Sequence, residues 1–176
     1  QQVNQGMRTA LAVLAVALVA ALGAAQETPV AACLFPTVGL TEGEETASLS
    51  EVVGRALAQN LEQLGVRVLP EAAWRQALGG VPQESLTDGR IASEVAARAG
   101  ARMAVISLVH LEARQLAMGV RVVDARSGRV VSSVYSTTLV GVAVHNRITD
   151  AVSRLTPQLE SFLRPEEEAA DVAALV

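Results

Sequence analysis

Few residues in this chain have types and spacing that could do chemistry, and His110, Glu112 and Arg114 come first. They alternate along an extended segment and so share one face, where an imidazole beside a carboxylate begins an acid–base set. A nucleophile is missing. Ser107 lies on the opposite parity, and the segment reads as the wet end of a strand. Glu42, Glu44 and Glu45 form a second cluster in the loop Thr37–Thr46, which follows the first strand, where open α/β sheets often bind ligands. Three carboxylates suit a hard cation, but their spacing lacks the alternation of a calcium loop and fits a solvated loop. Cys33, His110 and His145 fall short of the four ligands of structural zinc. No metal, cofactor or catalytic residue is expected.

Cys33 admits two readings. Val30-Ala31-Ala32-Cys33 loosely matches the small-residue box that precedes a lipid-modified cysteine, which would anchor the chain at an outer membrane. Glu27 and Pro29 interrupt the apolar approach to it, and Val30–Phe35 has the pattern of a buried strand, so a core thiol is the preferred reading. Ser132, Ser133, Ser136, Thr137 and Thr138 suit an exposed edge or a partner-facing strand. Arg147, Asp150 and Arg154 stand at helical spacing and read as surface ion pairs. The candidate interaction surface comprises His110, Glu112, Arg114, Arg121 and Tyr135.

The elements that must position these residues belong to a chain of 176 residues, the length of one ordinary domain. Its net charge is −4 and every basic residue is Arg, which excludes lysine chemistry and a phosphate loop ending in Lys, and speaks against nucleic acid. The mean hydropathy of +0.35 has a local source. Met7-Arg8-Thr9 precedes an uncharged Ala/Leu/Val run from Ala10 to Ala25 that ends in small residues, the layout of an export signal cleaved after Ala25. That run is shorter than the roughly 20 residues that span a bilayer, so no membrane-spanning segment is expected after cleavage. The expected organisation is upstream residues and signal peptide over 1–25, a single domain over 26–164, and an acidic, Ala-rich tail over 165–176.

Within the domain, strand and helix patterns alternate. Val30–Phe35 is a central strand, and Ser48-Leu49-Ser50-Glu51 has capping-box spacing for a helix running to Gly65. Val66–Leu69 is a short parallel strand, and Glu71–Leu78 a short helix held down by Trp74. Thr87 or Asp88 caps a helix that turns Ile91, Val95 and Ala99 inward. Met103–Val109 is a second buried strand, Gln115–Asp124 a strand with one wet side, and Asp124–Arg129 a turn into Val130–Leu139. A last helix from Ala143 restarts near Thr156 because of Pro157. The fold class is α/β, with a mixed sheet of about five strands, a parallel part plus an antiparallel meander, packed by helices.

That order resembles the α/β domain shared by the TolB amino-terminal region, the curli secretion protein CsgG, the flagellar protein FlgO and the penicillin-binding-protein activator LpoB. The resemblance rests on Val30–Pro36 with its Phe-Pro end, on Ala99-Gly100-Ala101-Arg102, and on the strand-turn-strand Arg121–Val131. It covers about residues 29–163. It implies a periplasmic, outer membrane-associated cell-envelope protein, a non-catalytic assembly or accessory factor whose partners are other envelope proteins or further copies of itself. Two alternatives stand beside it: a periplasmic ligand-binding module or small hydrolase using the loop Thr37–Thr46 and His110, and a ring-forming flagellar or secretion-associated subunit. Hairpins long enough to cross a bilayer are not found in the domain, so a channel is not expected.

Overall fold

Runs of small and β-branched apolar residues form the centre of the sheet, because a strand buried on both faces has no use for alternation. In the computed structural model, which describes residues 29–164, β1 (Ala31–Leu34) pairs in parallel with β3 (Arg67–Val68) on one side and with β4 (Met103–Glu112) on the other. The predicted export signal and acidic tail lie outside the described residues. β5 (Gln115–Asp124) and β6 (Val130–Leu139) continue antiparallel, giving the order β3-β1-β4-β5-β6. The mixed sheet expected from the sequence is therefore present.

Half of the loop expected over Thr37–Thr46 is instead regular structure. β2 (Val38–Gly39) runs parallel to β4 beyond the end of β1, and the pairing register slips by one residue across Phe35-Pro36-Thr37. Pro36 has no N–H for the ladder, so the strand bulges there and resumes. Thr41 then accepts the N–H of Leu111 at 3.0 Å and closes the edge. Helix α1 (Glu44–Gln63) starts four residues before the predicted capping box, which is not used. Gly43 is its N-cap at φ 137°, a conformation reserved for glycine. Glu44 and Glu45 occupy the first turn, where carboxylates meet the positive end of the helix dipole.

Two helix stops set where the parallel strands begin. After α1, Gly65 adopts φ 72° and the N–H groups of Gly65 and Val66 reach back to Glu62 and Leu61. After α3 (Gly89–Arg98), Gly100 at φ 79° and Ala101 bond to Ala97 and Ala96 in the same way. This paired left-handed stop turns the chain back toward the sheet each time. Between them lie α2 (Glu71–Leu78), held by Trp74 as expected, and a 3-10 turn, Gln83–Thr87. Asp88 caps α3, but the buried face is Ala92, Ser93, Val95 and Ala96; Ile91 and Ala99 are only half-buried. Small residues win that face because α3 lies close to the sheet. After β6 come α4 (Val144–Ser153) and α5 (Thr156–Leu163), broken near Pro157 as predicted. No described helix is long and apolar enough to cross a membrane.

The helices form unequal layers. On one face α1, α4 and α5 bury Leu57, Leu61, Ile148, Leu155 and Leu159 against Met118, Val120 and Val122 across the width of the sheet. On the other, α2, the 3-10 turn and α3 bury Trp74, Leu86 and Val95 against Cys33, Ala104, Ile106 and Val123. That second layer stops at Ile106.

The two hairpins differ in their local chemistry. In the β5–β6 turn Gly128 takes φ 69° and Asp124 accepts the N–H groups of Arg126 and Ser127, each at 3.2 Å, plus the Ser127 hydroxyl. Burial acts to raise the Asp124 pKa, but Ser127, the two N–H groups and the charge of Arg102 bring it below the ordinary value. Backbone donation from Ile91 and then Arg90 lowers that of Asp88 as well. Both carboxylates are thus stabilising when charged: their contribution is complete above the unfolded value and is lost as pH falls through the lower folded values. Urea midpoints recorded from about pH 6 to about pH 3 should fall less steeply for Asp88→Asn and Asp124→Asn than for the native chain.

The β4–β5 turn places Ala113 at φ 46° and Arg114 at φ 63°. A two-residue hairpin with positive φ at both positions matches the twist of its strands, and neither residue type favours that conformation. Ala113→Asn with Arg114→Gly should therefore stabilise the chain by about 1 kcal/mol, measurable as a raised urea midpoint at unchanged slope.

Candidate interaction surface

The end of the second helical layer at Ile106 leaves part of the sheet without a cover. Because β4, β5 and β6 pair in unbroken register from Ile106, Arg121 and Ser133 outward, beyond a shift between Val122 and Val123, their side chains on that face form rows: Ile106–Arg121–Ser133, Leu108–Gly119–Tyr135, His110–Ala117–Thr137 and Glu112–Gln115–Leu139. The middle strand contributes the small residues of the central rows. Ala117 and Gly119 thus floor a furrow between Leu108 and His110 on one bank and Tyr135 and Thr137 on the other. A Cβ at Gly119 would meet no atom within 4 Å, and the space between Leu108, Arg121, Ser133 and Tyr135 is about 220 Å³. Tyr135 is 70% exposed.

Polar groups stand at both ends of the furrow. Arg121 donates to the Thr87 carbonyl at 3.3 Å, which ties the furrow to the rim of the helical layer. His110 Nε2 and Glu112 Oε2 lie 3.5 Å apart at the other end, in solvent. Four of the five predicted surface residues, His110, Glu112, Arg121 and Tyr135, therefore share one face. Arg114 does not. It sits in the β4–β5 turn and donates to the Val140 carbonyl at 3.1 Å, because the strand ends at Glu112 and the predicted extended trio is broken.

The other predicted residues fall elsewhere. Ser107 is buried on the opposite face and bonded to the Thr37 hydroxyl at 2.7 Å, so it offers His110 no nucleophile. Ser133 and Thr137 share the furrow face, whereas Ser132, Ser136 and Thr138 point to the other. Glu42, Glu44 and Glu45 are all exposed, and among the described residues no group of three His, Cys, Asp or Glu side chains is placed to hold a metal ion. Asp150 forms no ion pair with Arg147 or Arg154: solvent competes too well for exposed charges at this spacing.

Cys33 is fully buried within β1, among Phe35, Trp74 and Ala104, and burial pushes its thiol up to about 11. The native chain should leave Ellman's reagent unreacted at mildly alkaline pH and release one equivalent of thiolate on unfolding in urea. A cleft missed by the sequence reading opens beside it at the end of β1. It measures about 370 Å³ between Pro36, Thr37, Glu51, Gly54, Glu71 and Trp74. The signal that could have located it is the Phe-Pro break that ends β1.

No protein-family model matches the chain, and no curated protein matches it. Solved structures do. The LpoB C-terminal domain from Salmonella enterica superposes with a TM-score of 0.51 at 16% identity, covering 69% of this chain and 92% of that one. The fold is that of the LpoB C-terminal domain. The Escherichia coli LpoB domain agrees, with a TM-score of 0.50, 21% identity, and 66% and 88% of the two chains. So does lipoprotein GNA1162 from Neisseria meningitidis, with a TM-score of 0.52, 15% identity, and 77% and 100% covered. Of the four proteins suggested by element order, LpoB is the one these likenesses support, and at this identity what is shared with LpoB is the fold.

Proposed function

We propose that this protein is an exported, non-catalytic accessory or assembly factor of a bacterial cell envelope, which binds another envelope protein through the furrowed face of β4, β5 and β6. The observation that carries the reading is the gap in the helical layer beyond Ile106, which leaves a shaped sheet face with Arg121, His110 and Tyr135 on it. A sheet face that no helix covers is a natural seat for a partner. The LpoB-type fold and the likeness to a neisserial lipoprotein support the envelope setting, and the signal-like start of the sequence supports export to the periplasm. The separation of Ser107 from His110 supports a binding role over hydrolysis. The buried place of Cys33 in the sheet favours a periplasmic protein without a lipid at that residue.

A photo-crosslinking residue at Ala117 tests this in the cell. The expected result is a covalent adduct with one envelope protein, lost on Arg121→Glu and on Gly119→Leu, which fills the furrow from an open position. No adduct, or one indifferent to both substitutions, would sink the reading. Mass determination of the mature amino terminus accompanies it: a start at Gln26 is expected, and an acylated Cys33 would replace periplasmic export with anchoring. The cleft at the end of β1 favours a second reading, a small-ligand module. Thermal stabilisation by a metabolite, abolished by Gly54→Leu in the absence of any furrow adduct, would establish it instead.

A further inference from the structure

The outer edge of β6 bears on self-association. Among the described residues β6 pairs with β5 alone, so its far side presents unpaired N–H and C=O groups along a strand of ten residues. Proteins usually defend such an edge with Lys, Pro, an inward charge or a very short strand. Val130–Leu139 contains no charged residue and no proline, and its one irregularity, a bulge at Val131 where the pairing shifts between Val122 and Val123, leaves Ser132–Leu139 regular. Apolar exposure concentrates there as well. Of the six large hydrophobic side chains exposed among the described residues, Val130, Tyr135 and Leu139 lie on this strand.

We infer that β6 pairs antiparallel with β6 of a second copy of this chain, about a two-fold axis through Tyr135. Opposed residues in an antiparallel pair must point to the same face, so a two-fold axis normal to the sheet has to pass through a residue position. Centred on Tyr135, it sets the two Tyr135 rings side by side and Ser133 opposite Thr137. Aromatic and hydroxyl pairs of this kind stabilise neighbouring strands. A self-pairing strand meets every one of its own charges as a like charge, and an uncharged one meets none; that is why a second copy is the occupant chosen. The two five-strand paths become one continuous sheet, and the furrowed faces of both copies lie on the same side of it.

Light scattering on the purified chain at micromolar concentration is expected to give twice the chain mass. Tyr135→Lys and Tyr135→Glu, each placing like charges face to face, should each return the monomer mass, and mixing the two should restore the doubled mass. Folding is not at risk at a side chain this exposed, and circular dichroism of each variant checks it. Cysteine pairs read the register. Tyr135→Cys should oxidise to a covalent dimer, whereas Ser133→Cys should do so only with a Thr137→Cys copy; the buried Cys33 stays outside this chemistry. A monomer at all concentrations, a dimer indifferent to both charge variants, or no crosslink at Tyr135 would overturn the inference. A monomer would leave the edge to a strand from a different protein.

Discussion

Replacing Trp74 with Ala should lower the free energy of unfolding by about 3–5 kcal/mol, a large part of the roughly 5–15 kcal/mol that holds a domain together. Trp74 is 1% exposed, and its ring meets Phe35 edge-to-face at 5.5 Å with an interplanar angle of 82°. It is the largest side chain of the smaller layer and sits where α2 crosses the end of β1. α2 spans only eight residues and has no side-chain N-cap, so its place depends on its two buried side chains, Trp74 and Leu78, of which Trp74 is much the larger. Deletion of the indole leaves a cavity that Phe35 and Leu78 line and cannot close without moving the strand end. Urea denaturation followed by circular dichroism checks the prediction: the midpoint falls while the slope is kept. A loss under about 1 kcal/mol would mean that α2 contributes little to the cooperative fold.

Leu159→Ala should cost about 2–5 kcal/mol from the opposite layer. Leu159 has no exposed surface, and together with Leu155 it fixes α5 over β6, where Gln158 also meets Ser132 at 3.5 Å. The break at Pro157 leaves α5 only two turns long, too short to persist without its buried leucines. Trp74, the single tryptophan, reports from the other side of the sheet. If the two layers unfold as one unit, the fluorescence midpoint of Leu159→Ala falls together with the circular-dichroism midpoint. A fluorescence transition that stays put while helical signal is lost earlier would show that the layers melt separately.

The order of elements was legible because its signals are local. Hydrophobic parity marked β4 and β5, Gly65 and Gly100 marked the helix stops, and Asp124 with Gly128 marked a turn whose side-chain hydrogen bonds all lie within six residues. The start of α1 was misplaced for the converse reason. Ser48 offered a cap by spacing, but Gly43 and the docking of β2 on β4 decided where the helix begins, and that contact joins residues about seventy positions apart. The tight β4–β5 turn was equally hidden, since Ala113-Arg114 carries no turn chemistry and is held in positive φ by the ladders on either side.

The same division runs through the candidate site. By itself the sequence determined that Ala117, Gly119 and Arg121 share the wet side of one strand, that β6 carries no charge, and that the chain has no lysine. Only the tertiary structure decided that β4, β5 and β6 align in rows, that the second helical layer ends at Ile106, and that Arg114 leaves the surface while His110, Glu112, Arg121 and Tyr135 remain. Alternation along a strand is a property of successive residues, so it can be read in order. Which part of a sheet stays without a cover depends on how far two short helices reach across it, and no local pattern records that distance.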